Sequence, residues 1–345
     1  MSATATARVA AGLFTADNLL LKAAGASRLS QVLLVERRLF KQLGNTFFER
    51  ARRGVAGAVT AIRAGTGPVQ PHELERALGL VDAAFDGWAE DMRPVLWAAT
   101  DQAYRIGKDA IFEQASTPPK QRTRLELDSP HLTADELRTK ASLRSAGLLK
   151  PRFDLADVAA VEALADNQVF WVGEHYQSNL RKRVRSVSSH TVLVRGLGRR
   201  QAARELQKNL AAELGFDPSK PFDRSKGIGI PVGWKGNSIQ YFEGLATNTA
   251  TVGRTSGSMR GLQQLGVEKY VISNPSDRRT CQRCDFMNGK EFKVEGAMGR
   301  INDTINARTP TAVRSIHPWA RNVGQLKASK DLQGDGFGYP PFHFR

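Results

Sequence analysis

The residues with the sharpest chemical potential are Cys281 and Cys284, which enclose Gln282 and Arg283 and are the only two cysteines in the chain. Three chemistries fit a C-x-x-C. Two thiolates at this spacing chelate from one turn and form half of a zinc or other structural-metal site. A redox pair is the second, with thiols activated by the flanking Arg279 and Arg283. The third is two small buried hydrophobes. A redox site of the thioredoxin kind wants a strand before it and a helix directly after it. Here Asp285-Phe-Met-Asn-Gly289 follows, and Asn-Gly reads as a turn. A tetrahedral metal needs two more ligands, and the downstream candidates are His317, His343, Asp285, Asp303 and Asp335. His343 lies in the closing Pro340-Pro-Phe-His-Phe-Arg345. His317, in Ile316-His-Pro-Trp319, reads as a packed or exposed loop histidine.

A second feature is charge. The chain carries 50 Lys and Arg against 34 Asp and Glu, a formal +16. Such an excess forecasts contact with something anionic. Between Arg181 and Lys208 there are nine Lys or Arg and one acid, Glu205. Arg181, Lys182, Arg183, Arg185, Arg195, Arg199, Arg200 and Arg204 are the candidate contacts to nucleic acid or an acidic protein flank. The plain alternative is a solvated helix face. Aromatic residues barely interleave with this stretch, so base stacking on single strands is not suggested. Nonspecific duplex contact, or docking onto an acidic protein ring, fits better.

The elements that must position these residues read as mostly helical. Leu29, Leu33, Phe40, Leu43 and Phe47 make one helical stripe, and Gly54, Gly57, Gly65 and Gly67 are expected to loosen the chain after it. Pro71 suits the first turn of a second helix. Leu74, Leu78, Val81, Phe85, Trp88 and Met92 then form a seam, with Pro94 expected to kink or restart the helix before it runs on to about Gln114. Ser116 to Arg124 reads as a linker. Thr133-Ala-Asp-Glu136 has capping-box order and should start a short helix to about Leu149. One helix is expected from Asp154 to about Arg185, another from Arg199 to Leu214 closed by Gly215. Gly227 to Gly233 reads as a loop. Asn237-Ser238 should cap a helix running towards Gly266, poor in propensity and dependent on packing. Glu268 to Ser273 is the first convincing strand. The expected architecture is mainly α, an extended multi-helix arrangement with a small α+β C-terminal domain. Its regions are 1–115 (helical), 116–132 (linker), 133–266 (helical, with the basic segment) and 267–345.

The same residues carry a resemblance. Asp277-Arg-Arg-Thr-Cys281-Gln-Arg-Cys284-Asp-Phe-Met-Asn-Gly289, followed some fifty residues later by Pro340-Pro-Phe-His343, resembles the Mu F-type minor head proteins of tailed phages, the head-morphogenesis family. The basic segment with Gly196-Leu-Gly198, the helix from Arg199 and the Ala/Thr-rich helix before a strand also fit. The resemblance covers roughly residues 155 to 345. The Cys-x-Cys that follows the histidine in many members is absent here. It implies a virion protein made in the host cytoplasm and placed in the head interior near the portal vertex, acting in head assembly, DNA packaging or ejection. It also implies that Cys281, Cys284 and His343 belong to a structural cluster, a zinc site without an assignable fourth ligand. The implied partners are the portal protein, the major capsid or scaffolding protein, and nonspecific double-stranded DNA.

Other classes are excluded or unsupported by pattern. No run of 18 apolar residues exists, so no membrane span is expected. The N-terminus lacks the basic-then-apolar order of a secretory signal, and two cysteines cannot make a disulfide framework at this size. No G-x-x-x-x-G-K-[ST], G-x-G-x-x-G after a strand, H-E-x-x-H or G-x-S-x-G is present. Nothing asks for catalysis, and the expectation is a structural protein rather than an enzyme. The alternatives are a free-standing DNA-binding protein with a zinc half-site and a C-x-x-C oxidoreductase.

Overall fold

The computed structural model describes residues 28–116, 129–132, 151–173, 178–194, 197–217, 220, 222–223, 230–231, 237–273, 280–307 and 309–341. The protein is mainly helical. In chain order come α1 (Arg28–Ala64), α2 (Pro71–Phe85), α3 (Trp88–Ser116), β1 (Ser129–Leu132), α4 (Leu155–Phe170), α5 (Ser178–Val194) and α6 (Arg199–Leu214). They are followed by β2 (Phe222–Asp223), β3 (Ile230–Pro231), α7 (Asn237–Gln264), β4 (Lys269–Ser273), α8 (Gln282–Met287), β5 (Glu291–Lys293), α9 (Val294–Asn306), α10 (Pro310–Ile316) and α11 (Val323–Ala328). The capping box at Thr133 with its helix to Leu149 lies outside the described residues. So does most of the Ser116–Arg124 linker.

The chain forms two units, each assembled from distant stretches. One comprises Met1–Glu36, Pro94–Gln168 and Ala246–Arg345; the other comprises Arg37–Arg93 and Val169–Leu245.

The second unit is built around aromatic rings. Phe47 of α1 packs against Phe48, Phe85, Trp88, Phe216 and Phe242 with ring centroids 5.1 to 6.4 Å apart. The Trp88 indole N–H donates to Thr46 Oγ1 at 3.2 Å, so the buried polar edge is satisfied. The seam from Leu74 to Met92 is buried throughout, but it belongs to two helices. The break falls at Asp86-Gly87, where Gly87 adopts φ +69, and not at Pro94, which sits inside α3. A proline in the second turn of a helix loses one hydrogen bond without ending it when packing holds both sides. Nor does α1 loosen at its glycines. Gly54 lies in mid-helix, where a Cβ would meet Ala84 Cβ and Val81 Cα at 3.0 Å, so its smallness brings α1 and α2 together. The single helix expected from Asp154 to Arg185 is two, α4 and α5, with a π-turn at 171–173 after α4. Gly215 (φ +76) closes α6 as expected, with the Phe216 N–H donating to the Ala211 carbonyl at 3.0 Å. Ser238 opens α7 differently from expectation: its hydroxyl donates to the Leu214 carbonyl at 2.9 Å, tying α7 to the end of α6. Part of the stretch expected as a loop, Ile230–Pro231, pairs antiparallel with Phe222–Asp223.

In the first unit α3 and α7 approach through glycines. Gly253, Gly257 and Gly261 recur every fourth residue along α7 and face Thr100, Tyr104 and Lys108 backbone atoms. Poor helix propensity is thereby exchanged for close packing. Below this contact Ile111, Phe112, Met259 and Leu262 share a core with Tyr270 and Ile272 of β4, Phe292 of β5, and Val294, Ala297 and Ile301 of α9. The sheet is antiparallel in the order β1-β4-β5, with Ser129 opposite Ser273 and Tyr270 opposite Phe292.

Candidate functional site

The two cysteines lie at the start of α8. Cys281 is its N-cap and Cys284 sits one turn in, with the sulfurs 3.7 Å apart. A helix therefore does begin directly after Cys281, where the sequence suggested only a turn; Asn288-Gly289 (φ +76) ends it six residues later. The Asp285 N–H donates to the Cys281 carbonyl at 2.9 Å, and Arg283 anchors the helix by donating to the Ala320 carbonyl at 2.9 Å. Burial works to raise the pKa of the Cys281 thiol. Hydrogen bonds from Cys284 and Arg283 outweigh it and leave the thiol below its ordinary value. Cys284 is buried in the core shared by β4, β5 and α9.

The sulfur separation suits a metal on two corners, since two Zn–S bonds of about 2.3 Å at the tetrahedral angle put sulfurs about 3.8 Å apart. The other corners are not supplied among the described residues, where no group of three His, Cys, Asp or Glu gathers. His343 lies outside the described residues. Asp335 accepts a hydrogen bond from Ser329 Oγ at 2.6 Å. His317 is engaged elsewhere. Its ring stacks on Tyr339 with centroids 4.3 Å apart, and Nε2 lies 3.1 Å from the Tyr339 carbonyl, to which it donates.

That histidine makes stability pH-dependent. Burial pushes its pKa down to about 4, against the partial support of the Tyr339 carbonyl. Between pH 6.5 and 4 the unfolded chain takes up a proton that the folded one refuses, so stability falls as pH falls through this window. The loss is at most about 3 kcal/mol. Urea unfolding at pH 7 and pH 4.5 should show it, and His317→Gln should flatten that part of the slope.

The stretch leading into the late Pro-Pro-x-His returns to the same core as Cys284. Phe337 and Tyr339 are members of it, and Pro340 and Pro341, joined by a cis peptide bond, are buried. The Tyr270 hydroxyl of β4 donates to the Gly338 carbonyl at 2.6 Å.

The basic segment divides into two populations. On α5, Arg181 pairs with Asp82 and Asp86, Arg183 with Glu213 at 2.8 Å, and Arg185 with Glu75 and with Asp82 at 2.7 Å. The hydrogen bond to Asp82 first, then that to Glu75, holds the Arg185 guanidinium more firmly protonated than usual. Arg199 reaches Glu73 at 2.7 Å and the carbonyls of Ile62 and Thr66 at 3.1 and 2.8 Å, clamping the start of α6 to the end of α1. These four guanidiniums fasten helices of one unit to each other. Lys182 on α5 and Arg200 and Arg204 on α6 are exposed without an acidic partner among the described residues. Arg195 lies outside the described residues.

Sequence reading passed over α1. Between Arg37 and Ala64 it holds seven Lys or Arg and one acid, Glu49. A charge count over that helix finds the bias, which its apolar stripe masks in a reading by periodicity. No helix of the described residues is long and apolar enough to cross a membrane. Compared with protein-family models, with curated proteins and with solved structures, the chain gives no match.

Proposed function

We propose that this chain is a structural, non-enzymatic component of a tailed-phage head, a minor head protein that associates with the portal vertex and acts in head assembly, DNA packaging or ejection. The observation that carries this reading is that the stretch leading into the late Pro-Pro-x-His reaches the core of the thiol pair. Cys284 packs in one core with Phe337 and Tyr339, more than fifty residues later, as expected if the two stretches are parts of a single module rather than separate chance matches. A zinc ion on Cys281, Cys284 and His343 is the metal this donor set would take, and it would brace the start of α8 against the chain's closing segment. Partners in this reading are the portal protein, the capsid or scaffolding protein, and duplex DNA met through the chain's +16 charge.

Gel filtration of the chain co-expressed with a portal protein from the same genome, at moderate and high salt, tests the reading. Co-elution that survives high salt is expected. Failure to co-elute, with retention on DNA instead, would favour the free-standing DNA-binding alternative.

A further inference from the structure

The thiol pair has a chemistry that the metal reading leaves unused. A redox pair wants a strand before it and a helix directly after it, and the chain supplies both: β4 ends at Ser273, and α8 starts from Cys281. The two sulfurs stand 3.7 Å apart, close to van der Waals contact, and a disulfide needs them at about 2.05 Å. The two thiols are not equivalent. Cys284 is 4% exposed and belongs to the core that holds Phe337 and Tyr339. Cys281 is half-buried, with extended backbone (φ −83, ψ 164) ahead of the first helical turn. Its side chain is the freer of the two and supplies the closing movement. The frame around them is fixed. The Asn288 N–H donates to the Cys284 carbonyl at 3.1 Å, and the Gly289 N–H to the Ile272 carbonyl of β4 at 2.8 Å. Arg283, between the cysteines, donates to the Ala320 carbonyl at 2.9 Å. With α8 tied on one side to β4 and on the other to the loop before α11, the sulfurs are held beside each other instead of meeting by diffusion of the chain.

We infer that Cys281 and Cys284 form a reversible intramolecular disulfide by exchange with a small-molecule disulfide. The Cys281 thiolate attacks one sulfur of the small disulfide and expels the other as a thiolate, which takes up a proton. The Cys284 thiolate then attacks the Cys281 sulfur of this mixed disulfide and expels the second small thiolate, which is protonated in turn. The two protein thiols lose two protons and two electrons, and the small disulfide becomes two thiols. Burial keeps the small disulfide away from Cys284, which sets the order of the steps. The bridge and the zinc of the proposed function use the same sulfurs and exclude each other, so the inference concerns the metal-free chain and does not depend on that reading.

The test equilibrates the full chain, in the presence of a chelator, with graded mixtures of oxidised and reduced glutathione, once folded and once in urea. Samples quenched in acid are read by mass. The folded wild type should lose two hydrogens and carry no glutathione. Half of it should be bridged at a glutathione ratio, oxidised over reduced squared, at least about tenfold lower than the unfolded chain requires, because the fold sets the sulfurs side by side. By linkage, the bridged chain should unfold in urea with an equilibrium constant smaller by the same factor than the reduced chain. Cys284→Ser should stop at one glutathione on Cys281, and Cys281→Ser should stay unmodified while folded. A wild type that bridges no more readily folded than unfolded, that keeps glutathione on Cys281, or that joins two chains through Cys281 would overturn the assignment. A chain that bridges as expected but never meets the portal protein upholds this site and ends the head-protein reading alone.

Discussion

Asp157→Asn should destabilise the protein by about 3–5 kcal/mol, the cost of leaving one buried charge without its partner. Asp157 and Lys108 are both fully buried, with Nζ 2.6 Å from Oδ2. The carboxylate also accepts the Tyr104 hydroxyl at 2.8 Å and the Asp154 N–H at 2.8 Å, and Arg260 stands 3.7 Å away. Lys108 donates in addition to the Arg152 carbonyl. One carboxylate thus fixes the first turn of α4 against the middle of α3. Burial drives the Lys108 pKa down and Asp157 pushes back. With asparagine in place the larger part of that opposition is gone and only Asp154 still pushes back, so the folded chain, which already holds the lysine proton less tightly than the unfolded chain does, holds it less tightly still. Stability then rises with pH, so the deficit measured by urea unfolding should shrink between pH 7 and 9. An unchanged deficit over that range would mean that the lysine finds another anion. Lys108→Met with Asp157→Leu should recover most of the loss, because two apolar residues leave no charge stranded.

Gly257→Ala should cost about 3 kcal/mol, near the upper end of overpacking, and lower the unfolding midpoint by roughly 6 °C. The added Cβ would lie 1.9 Å from the Tyr104 carbonyl oxygen, and this neighbour is backbone that cannot swing aside. Gly107→Ala meets the same obstacle from the other helix, 1.9 Å from the Arg254 carbonyl oxygen. Gly79→Ala on α2 is the contrast, with nothing within 4 Å of its Cβ, and should stabilise by up to about 1 kcal/mol. Differential scanning calorimetry of the three variants separates the two glycine roles. A Gly257→Ala chain as stable as wild type would mean that α7 can shift away from α3 at little cost.

The contrast between these glycines marks the limit of what sequence conveys. The helix from Arg199 to Leu214 was legible to the residue because its stripe and its closing Gly215 are both local. The strand before the cysteines was legible for the same reason. Gly54 and Gly257 were not, since a glycine that loosens a chain and one that admits a neighbouring backbone look alike until the neighbour is known. The basic segment was visible as charge, but which of its described arginines meet an acidic partner and which do not was hidden. Arg185 meets Asp82 from 103 positions away and Arg199 meets Glu73 from 126, distances over which no periodicity speaks. At the thiol pair the spacing was legible. The short helix after Cys281 was masked by the Asn-Gly turn that ends it.

The sheet has a consequence for how the chain is made. Its strand β1 must wait for β4, encoded well over a hundred residues later. At about 5–20 residues per second, β1 leaves the ribosome roughly 7–28 s before its partner exists. During that interval it is an unpaired edge beside the nascent chains of neighbouring ribosomes, the circumstance in which strands cross-pair. Pro130 occupies the second position of β1 and has no N–H to offer such a stranger. The same proline is tolerated in the finished sheet because β1 is the edge strand there. Pro130 therefore protects a transient state of synthesis as well as closing one border of the mature sheet.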